Sequence, residues 1–436
     1  MGTRAGIVVT GTEVLTGRVV DRNGPWLAEQ FRVIGVDIAS VIVVGDRRED
    51  LHDALTFLAG TGVDLIVTSG GLGPTADDLS AEVVGAFQGR APVLDAVLEE
   101  HIAGIAARLI AARGWRLDPG ATAAATRKQA LVPAGAHVLA PVGTAPGLVV
   151  AVADGRGGPP VLVLPGPPRE LQGMWSAALA DPIVQTALSG REQLHQCTIR
   201  LWGTAESDAA ATLRELEGRL GGLEITTCQH DGELEIVTRY GPGAQSVYEH
   251  LDSAIRTAHG ASVFAPDGRT VDEVVADELL ARKLTVATAE SCTAGLLAAR
   301  LTDRPGSSAY VLGGVVTYSN AAKRNLAGVP EELIDSVGAV SAEVARAMAE
   351  GARARLTADI GVGITGIAGP GGGSPDKPVG LVHLCAVDQQ TVIARRITVP
   401  GSRADVRSRS VMVAMHMIRE LLASTARSAG NASTTT

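Results

Sequence analysis

A serine, a tyrosine and a lysine stand near the ends of two short apolar segments in the last third of the chain. Ser291 follows one β-prone run, and Tyr318 and Lys323 follow the next. The small-residue stretch 294–301 predicts a helix after Ser291, so free backbone N–H groups and the positive end of the helix dipole would lie near its hydroxyl. A nucleophile beside such donors is typical of enzymes that catalyse acyl transfer, because the donors stabilise the oxyanion that forms.

Tyr318 and Lys323 are the candidates for activating the serine hydroxyl. A partly desolvated lysine loses its proton more readily and can in turn favour a tyrosinate, so either group could deprotonate Ser291. General-base assistance of this kind is worth roughly 100-fold to 10,000-fold in rate. The alternative is structural: Ser291 would cap a helix, Tyr318 would pack and Lys323 would be solvated. The sequence leaves open both the choice of base and this alternative.

A glycine-rich loop, residues 366–374, follows a third predicted strand. Consecutive glycines expose N–H groups and let a phosphate or carboxylate approach the backbone closely. The loop is not an ATP-binding P-loop, because Gly372 and Gly373 occupy the positions that require Lys and Ser or Thr. Arg403, beyond the loop, could supply the positive charge that a phosphate also needs. The alternative is a flexible surface loop.

A second glycine loop, residues 70–78, ends in two adjacent acids early in the chain. Its glycine N–H groups suit a phosphate, while Asp77 and Asp78 suit a hard divalent cation that bridges this phosphate. Glu13, after the first predicted strand, could join them.

Two other interpretations of the same loop stay open. Asp77 and Asp78 could cap the helix predicted to follow them, since acidic residues stabilise a helix N-terminus. The pattern Gly71-x-Gly73-x-x-Ala76 also resembles a dinucleotide fingerprint, with Asp95 located 22 residues past Gly73. Pro74 and the paired acids argue against a pyrophosphate at that position.

The composition limits the class of protein. The chain has 436 residues, a net charge of -9, 52 glycines and 3% aromatic residues, which favours several α/β domains with many glycine turns. The sequence contains no basic block with interleaved aromatic residues, so it does not indicate nucleic-acid binding. The four cysteines are far apart, which argues against a zinc site or a disulfide framework and fits a reducing cytosol. We find neither a leader nor an apolar run of about 18 residues, and therefore expect a cytoplasmic protein without a membrane span.

Short strands alternate with helical segments in two regions, which predicts α/β domains with mostly parallel sheets. We assign the first to residues 1–170 and the second to residues 266–426. Between them, residues 171–265 predict a small α+β unit with no reactive cluster, which we interpret as a hinge. The Ser/Thr/Ala/Gly-rich tail, 427–436, is predicted to be disordered.

The chain resembles the competence/damage-inducible protein A (CinA) family along nearly its whole length. The resemblance is carried by Gly11-Thr12-Glu13, Gly45-Asp46, Thr68 to Pro74 with Thr75-x-Asp77-Asp78, Pro165 to Pro168 with Glu170, Ala289 to Thr293, Tyr318 to Lys323, and Thr365 to Pro370. Two departures are small: Ala294 stands where relatives often carry glycine, and Ser69 where they often carry threonine.

The resemblance implies three domains: an N-terminal domain similar to molybdopterin-binding proteins, a KH-like hinge domain, and a C-terminal nicotinamide mononucleotide amidohydrolase domain. In the last, Ser291 would attack the carboxamide while Tyr318 and Lys323 manage the protons, without a cofactor. The resemblance also implies a set of oxyanion and substrate-binding residues: Cys292, Thr293, Gly313, Gly314, Asn320, Thr365, Gly366, Ala368, Gly369, Gly371 and Arg403.

For the N-terminal domain the resemblance implies a metal-dependent ADP-ribose pyrophosphatase that uses Mg, Mn or Co. Its nucleotide site would comprise Glu13, Gly70, Gly71, Gly73, Thr75 and Glu170, with Asp77 and Asp78 at the metal. The implied partners are small nucleotides and a second copy of the chain in a homodimer, with no nucleic acid and no membrane. Two rival functions remain, a non-catalytic pterin or nucleotide carrier and a dehydrogenase.

Overall fold

The strands and helices form two units, the first ending at His195 and the second starting at Gln196. The computed structural model describes residues 2–191, 193–230 and 232–433, with side chains as far as residue 424. Each unit buries its own apolar clusters, so each is described by itself.

The first unit alternates strands and helices as the apolar pattern predicts. Its strands are β1 (Arg4–Thr10), β2 (Asp37–Val44), β3 (Leu65–Ser69), β4 (Pro92–Leu94), β5 (Leu131–Pro133), β6 (His137–Leu139), β7 (Gly147–Val150) and β8 (Val161–Leu164). Its helices are α1 (Thr12–Leu15), α2 (Asn23–Val33), α3 (Arg48–Gly60), α4 (Ser80–Gln88), α5 (Ala96–Arg113), α6 (Pro119–Gln129), α7 (Pro168–Ala180) and α8 (Pro182–Ala187).

The main sheet of this unit has the strand order β2-β1-β3-β8-β7-β6. The first four strands are parallel, and β7 and β6 are antiparallel to their neighbours. Helices cover both faces, which explains why β3, β7 and β8 are buried along their whole length. The carboxyl ends of β1, β3 and β8 therefore lie side by side, and the loops that follow them share one edge of the sheet.

The boundary predicted at residue 170 falls too early. Helices α7 and α8 belong to the first unit, because Met174, Trp175 and Val184 are buried in its core. The Trp175 ring packs edge-on against Phe31 at 5.1 Å and against Trp26 at 5.7 Å. The prolines at 165–168 end a strand, but the chain after them returns across the same sheet and covers one of its faces.

The second unit begins with a small sheet of order β10-β11-β9-β12. Its elements are β9 (His195–Trp202), α9 (Glu206–Glu215), β10 (Leu223–His230), β11 (Glu233–Tyr240), α10 (Gln245–His259) and β12 (Val263–Ala265). The remaining helices are α11 (Val271–Arg282), α12 (Leu296–Thr302), α13 (Asn320–Ala327), α14 (Glu331–Val337), α15 (Ala342–Arg355) and α16 (Arg403–Ser433). The remaining strands are β13 (Val286–Glu290), β14 (Val311–Val316), β15 (Ile360–Gly366), β16 (Leu381–Val387) and β17 (Val392–Thr398).

The small sheet packs on α16 and falls in one compact unit with the C-terminal domain, and it also buries an apolar cluster of its own. Its role as a hinge stays a prediction. His416 of α16 stacks on Trp202 with ring centroids 3.8 Å apart, and its Nε2 lies 2.7 Å from Glu233 Oε1. Arg419 Nε donates to His416 Nδ1 at 3.2 Å. Burial lowers the pKa of His416 to about 4, so the ring is neutral at neutral pH and its Nε2–H donates to Glu233.

The C-terminal sheet has the order β14-β13-β15-β16-β17, with the first three strands parallel. Helix α15 lies unusually close to β15. A Cβ on Gly361 would overlap the carbonyl oxygen of Ala349, and one on Gly363 would overlap that of Ala345. Gly351 likewise leaves space for the Ala327 carbonyl at the end of α13. Glycine is therefore required for this approach of one backbone to another.

Helix α16 continues to Ser433, so the tail that we predicted to be disordered is helical over residues 427–433. Extending an existing helix needs no new nucleus, which lets a small-residue sequence without proline continue it. Residues 434–436 lie outside the described part of the chain. Within the described part, no helix is both long enough and apolar enough to span a membrane.

Replacing Gly351 with alanine should destabilise the second unit, because the added methyl group would overlap the Ala327 carbonyl. The matched control is Gly104→Ala in α5, where a Cβ meets nothing within 4 Å. The free energy of unfolding of this control should rise by about 0.5–1 kcal/mol, since alanine is the better helix former. Thermal unfolding of the full chain, followed by circular dichroism, measures the stability of both variants. Equal midpoints for the two variants would contradict the close packing of α13 and α15.

Candidate functional site

Ser291 and Lys323 meet at the carboxyl ends of two adjacent parallel strands. Lys323 Nζ donates to Ser291 Oγ at 3.0 Å and to the carbonyl oxygen of Thr317 at 2.8 Å. Lys323 is only 2% exposed. Burial lowers the pKa of its ammonium group below the ordinary lysine value of 10.5. A buried amine that gives up its proton easily and touches a serine hydroxyl is a competent general base.

Backbone bonds between the strands fix this pair. The Thr317 N–H donates to the Glu290 carbonyl at 2.7 Å, and the Ser291 N–H donates to the Ile364 carbonyl at 2.9 Å. Ser319 caps α13 by accepting from the Ala322 N–H at 3.1 Å. Because Lys323 lies in the first turns of this helix, the cap and the strand pairing together aim its amine at Ser291.

Glu290, the residue before the serine, is a functional residue that the sequence reasoning missed. Its buried carboxylate accepts hydrogen bonds from the N–H groups of Gly295 at 3.0 Å, Leu297 at 3.1 Å and Ala298 at 2.9 Å. These N–H groups form the N-terminus of α12, which begins at Leu296 and not at Ala294. The expectation that this helix end faces the serine is therefore wrong: Glu290 occupies it.

The N–H groups of Cys292 and Thr293 are the remaining candidates for the predicted oxyanion donors. Within the described chain, no backbone carbonyl accepts a hydrogen bond from either of them. Both residues are buried in the turn between Ser291 and α12. Burial raises the pKa of the Cys292 thiol to about 11, so this cysteine is protonated at neutral pH and is not a competing nucleophile.

Tyr318 is not hydrogen-bonded to Ser291 or Lys323. It is 59% exposed, and its hydroxyl accepts from Arg403 Nη2 at 2.9 Å. Arg403 Nη1 donates to the carbonyl of Gly369 at 2.9 Å, so the structure brings three predicted residues together beside the glycine loop. We predicted that the phenol and the amine converge on the serine, and here only the amine does.

Arg407, one turn after Arg403 on α16, is a second residue that sequence reasoning missed. Its Nη2 donates to the Thr293 carbonyl at 3.2 Å. Its Nε and the Thr293 hydroxyl are both buried without a hydrogen-bond partner among the described residues. The i, i+4 spacing of the two arginines was the available signal, because such residues share one face of a helix.

The other predicted residues of this domain are distributed around the site. Thr365 and Gly366 end β15, and the Thr365 hydroxyl donates to the Ala339 carbonyl at 2.7 Å. Ala368 is buried, whereas Asn320 and Gly371 are exposed.

Gly313 and Gly314 lie within β14 and away from Ser291. Gly314 pairs with Thr288, three residues before the serine, which places it about 10 Å along the strand. A Cβ on Gly314 would overlap the Thr288 hydroxyl of the neighbouring strand and press on Ala298 of α12, so this glycine makes room for both. A direct contact with substrate, which the resemblance implied for both glycines, is not supported by this position.

The predicted nucleotide site of the first unit forms one cavity of 380 Å³ at the carboxyl edge of the sheet. Its lining includes every residue that we predicted there: Glu13, Gly70, Gly71, Gly73, Thr75, Asp77, Asp78 and Glu170. Asp46 adds a fifth carboxylate. Burial raises the pKa of Glu170 above its ordinary value. We call this space the carboxylate cavity.

Both alternatives for the 70–78 loop are wrong. Helix α4 begins at Ser80 without a side-chain cap, and Asp78 Oδ2 instead accepts from the N–H of Thr75 at 2.8 Å and from its hydroxyl at 2.5 Å. Asp95 caps α5 by accepting from the Leu98 N–H at 2.9 Å, so it is not a ribose ligand. A Cβ on Gly73 would overlap the Asp78 carboxylate, so the glycine leaves room for this carboxylate against the loop.

The carboxylate cavity suits a divalent cation that a phosphate ligand helps to hold. Within the described residues, no three His, Cys, Asp or Glu side chains come close enough together to hold a metal alone. Mg²⁺ is commonly bound through one or two carboxylates plus phosphate oxygens, and the side chains of Asp77 and Asp78 fit that role. Hard oxygen donors of this kind favour Mg²⁺ or Mn²⁺ over softer metals.

Comparison with known proteins agrees with this architecture. Residues 6–185 match the family described as "Probable molybdopterin binding domain", and residues 268–422 match "CinA C-terminal domain". A CinA-like protein from Mycobacterium marinum is 55% identical over 426 residues, covering 96% of this chain and 98% of its own. One from Mycolicibacterium gilvum is 57% identical over 426 residues, covering 97% and 99%.

Among solved structures, the competence/damage inducible protein CihA from Agrobacterium tumefaciens is 43% identical, covers 35% of this chain and 94% of its own, and has a TM-score of 0.34. The fold and the matched families define a mixed α/β protein that joins a molybdopterin-binding-like domain to a CinA C-terminal domain. The chain belongs to the CinA-like family, which confirms the resemblance found in the sequence.

Ala294 stands in the left-handed region with φ of 51°, which explains why glycine suits this position. Ala294→Gly should raise the free energy of unfolding by up to about 1 kcal/mol, because the exposed methyl group makes little packing and the strain is relieved. The control Ala299→Gly, exposed within α12, should lower it by about 1 kcal/mol. Unfolding of both variants in denaturant measures these changes. An equal loss of unfolding free energy in the two variants would disprove the backbone strain assigned to Ala294.

Proposed function

We propose that the C-terminal domain is an amidohydrolase that converts nicotinamide mononucleotide and water to nicotinate mononucleotide and ammonia, in pyridine-nucleotide salvage. The observation that carries this proposal is the 3.0 Å contact of a buried Lys323 amine with the Ser291 hydroxyl. This pair suits hydrolysis of an uncharged amide, because it supplies a nucleophile and a base without a metal.

Acylation begins when neutral Lys323 takes the proton of Ser291 as Oγ bonds to the carboxamide carbon. The N–H groups of Cys292 and Thr293 stabilise the oxyanion that forms, and each such donor is typically worth about 2.7–4 kcal/mol. The C–N bond then breaks while the Lys323 ammonium protonates the leaving nitrogen, which departs as ammonia. The same residue thus serves first as base and then as acid.

Deacylation repeats these steps with water. Lys323 accepts a proton from the attacking water, and it returns this proton to Ser291 Oγ as the ester bond breaks. Nicotinate mononucleotide leaves, and the neutral amine is restored.

Arg403 and Arg407 would anchor the phosphate of the substrate. The two guanidinium groups project from successive turns of α16, towards the glycine loop and towards Thr293 respectively. Arginine binds phosphate well because its planar donors match two oxygens at once. The hydroxyl of Tyr318, held by Arg403, would contact the substrate and not the serine, so we assign the base to Lys323.

We further propose that the N-terminal unit is a metal-dependent ADP-ribose pyrophosphatase. The support is the joint presence of five carboxylates and the Gly70–Gly73 backbone around one 380 Å³ cavity. A divalent cation held by Asp77 and Asp78 would neutralise phosphate charge when bound. Non-catalytic binding of a pterin or nucleotide is the rival for this unit. Assembly as a homodimer and a cytoplasmic location stay predictions.

The value of kcat/KM for ammonia release should rise with pH and then level off, with a midpoint below the ordinary lysine value of 10.5. The reason is that only neutral Lys323 accepts the serine proton, and burial lowers its pKa, so the neutral form persists to lower pH. Initial rates across the pH range measure this, with circular dichroism to exclude unfolding. If kcat/KM did not fall at low pH, or if the residual activity of Lys323→Ala fell over the same pH range, Lys323 would not be the base.

Substitutions should separate the two activities. Ser291→Ala and Lys323→Ala should each lower kcat for ammonia release by at least about 100-fold, whereas Lys283→Ala, at an exposed lysine, should not change it. Tyr318→Phe should mainly raise KM. Asp78→Ala should leave ammonia release intact and abolish metal-stimulated ADP-ribose hydrolysis. Parallel assays of both substrates, with and without divalent metal, measure the two activities of each variant. Ammonia release at the wild-type rate from all variants would favour the rival function, a non-catalytic pterin or nucleotide carrier.

A further inference from the structure

Helices α5 and α6 form an arm of the first unit whose outer part is not buried. Leu98 and Ile102 of α5 belong to the core of the unit, and Thr126 and Gln129 of α6 are buried near them in the chain. Residues 103–125, between these positions, are all described, and none of them is buried although most are apolar. We call residues 103–125 the helical arm.

The helical arm carries a groove with the composition of a protein interface. The groove lies between the two helices, has a volume of 750 Å³, and is lined mainly by apolar residues. Trp115 and Leu117, in the turn between the helices, line it and are 50% and 52% exposed. The Arg113 guanidinium group lies 4.6 Å from the centre of the Trp115 ring. Apolar surface of this kind with tryptophan and arginine is typical of interfaces, and helices are stable mainly when an apolar face is packed.

One wall of the groove consists of small residues at helical spacing. Ala103, Ala107 and Ala111 line the groove at intervals of four residues, which places them on one face of α5. Side chains this small let a second helix approach at the near end of the usual range of about 8–10 Å between axes. The groove therefore fits a helix that has a face of equally small residues. Helix α5 itself has such a face.

The charges of the groove make α5 complementary to itself in the antiparallel direction. Glu99 lines one end of the groove and Arg116 the other. About a twofold axis at Ala107, Ala103 of each copy would face Ala111 of the other. The same axis brings Glu99 to within one residue of the position opposite Arg116, so opposite charges meet at both ends of a symmetric contact. A parallel pair would place like charges side by side.

We propose that the helical arm is the surface through which two copies of this chain associate, with α5 of each copy lying in the groove of the other. The four helices would form an antiparallel bundle whose centre contains the alanine faces. Trp115 and Leu117 would pack against the second copy and supply apolar contact that one arm does not make alone. The sequence resemblance implied a homodimer without a contact surface, and this inference adds the surface. It depends on neither proposed activity.

Sedimentation equilibrium of the full chain over a range of concentrations tests this inference. Wild type should reach twice the mass of one chain. Ala107→Glu places two carboxylates at the twofold axis and should raise the dissociation constant at least about 100-fold, because like charges in an interface repel. The matched control is Ala112→Glu, which is also exposed on α5 but does not line the groove. It should dimerise as wild type does, and circular dichroism checks the folding of both variants.

Exchanging the charges at the ends of the groove tests the antiparallel direction. Glu99→Lys and Arg116→Glu should each weaken the dimer about tenfold, because like charges then meet at both ends. An equimolar mixture of the two variants should dimerise as wild type does, because opposite charges meet again in the mixed dimer. Within one copy, Glu99 Oε1 lies 3.7 Å from Arg127 Nη1. Mixing does not restore that pair, so recovery would demonstrate a contact between copies.

Several results would overturn the inference. If wild type has the mass of one chain at every concentration, the arm is covered by another part of the chain or by a different protein. A dimer that Ala107→Glu does not weaken, or that Ala112→Glu weakens equally, would place the contact elsewhere. A mixture that dimerises no better than its components would reject the antiparallel pair. The charge variants give this answer even if Ala107→Glu does not fold.

Discussion

The contact between the buried Lys323 amine and Ser291 is the constraint on which the C-terminal domain depends. A lysine removed from water loses hydration that only hydrogen-bond acceptors can replace, and here the acceptors are a side-chain hydroxyl and the Thr317 carbonyl. Both acceptors directly follow neighbouring strands, so the amine is satisfied only while β13 and β14 keep their register. The same desolvation that makes burial unfavourable gives the amine its basicity. Stability and reactivity are therefore opposed at one atom.

The rest of the domain maintains that register by close backbone packing and by one buried carboxylate. Gly361 and Gly363 let α15 lie against the central strand, since side chains there would overlap its carbonyl groups. The Glu290 carboxylate accepts hydrogen bonds from three N–H groups at the start of α12, and these bonds fix the turn that carries Ser291. An anion at a helix N-terminus is stabilised by the helix dipole. This explains how the Glu290 carboxylate can be buried although no cation among the described residues forms a salt bridge with it.

Much of the architecture could be predicted because strands and helices differ in the period of their apolar residues. The β-prone run predicted before Ser291 is β13, and the third predicted strand, before the glycine-rich loop, is β15. The predictions failed where contacts between residues distant in sequence determine the structure. The apolar face of α7 does not reveal which sheet it covers, so the end of the first domain was predicted too early, at residue 170. The contact of His416 with Glu233 joins residues 183 positions apart, and no local pattern predicts it.

The sequence by itself determined the α/β class, the family, and the chemical groups of both sites, because these follow from residue types and from spacing along the chain. Only the tertiary structure decided which groups meet. Lys323 reaches the serine while Tyr318, five residues earlier, turns to Arg403. The difference arises because Lys323 lies on a helix capped at Ser319, whereas Tyr318 lies in the exposed connection before it. Directions of side chains depend on how elements pack, and that packing is settled by contacts distant in sequence.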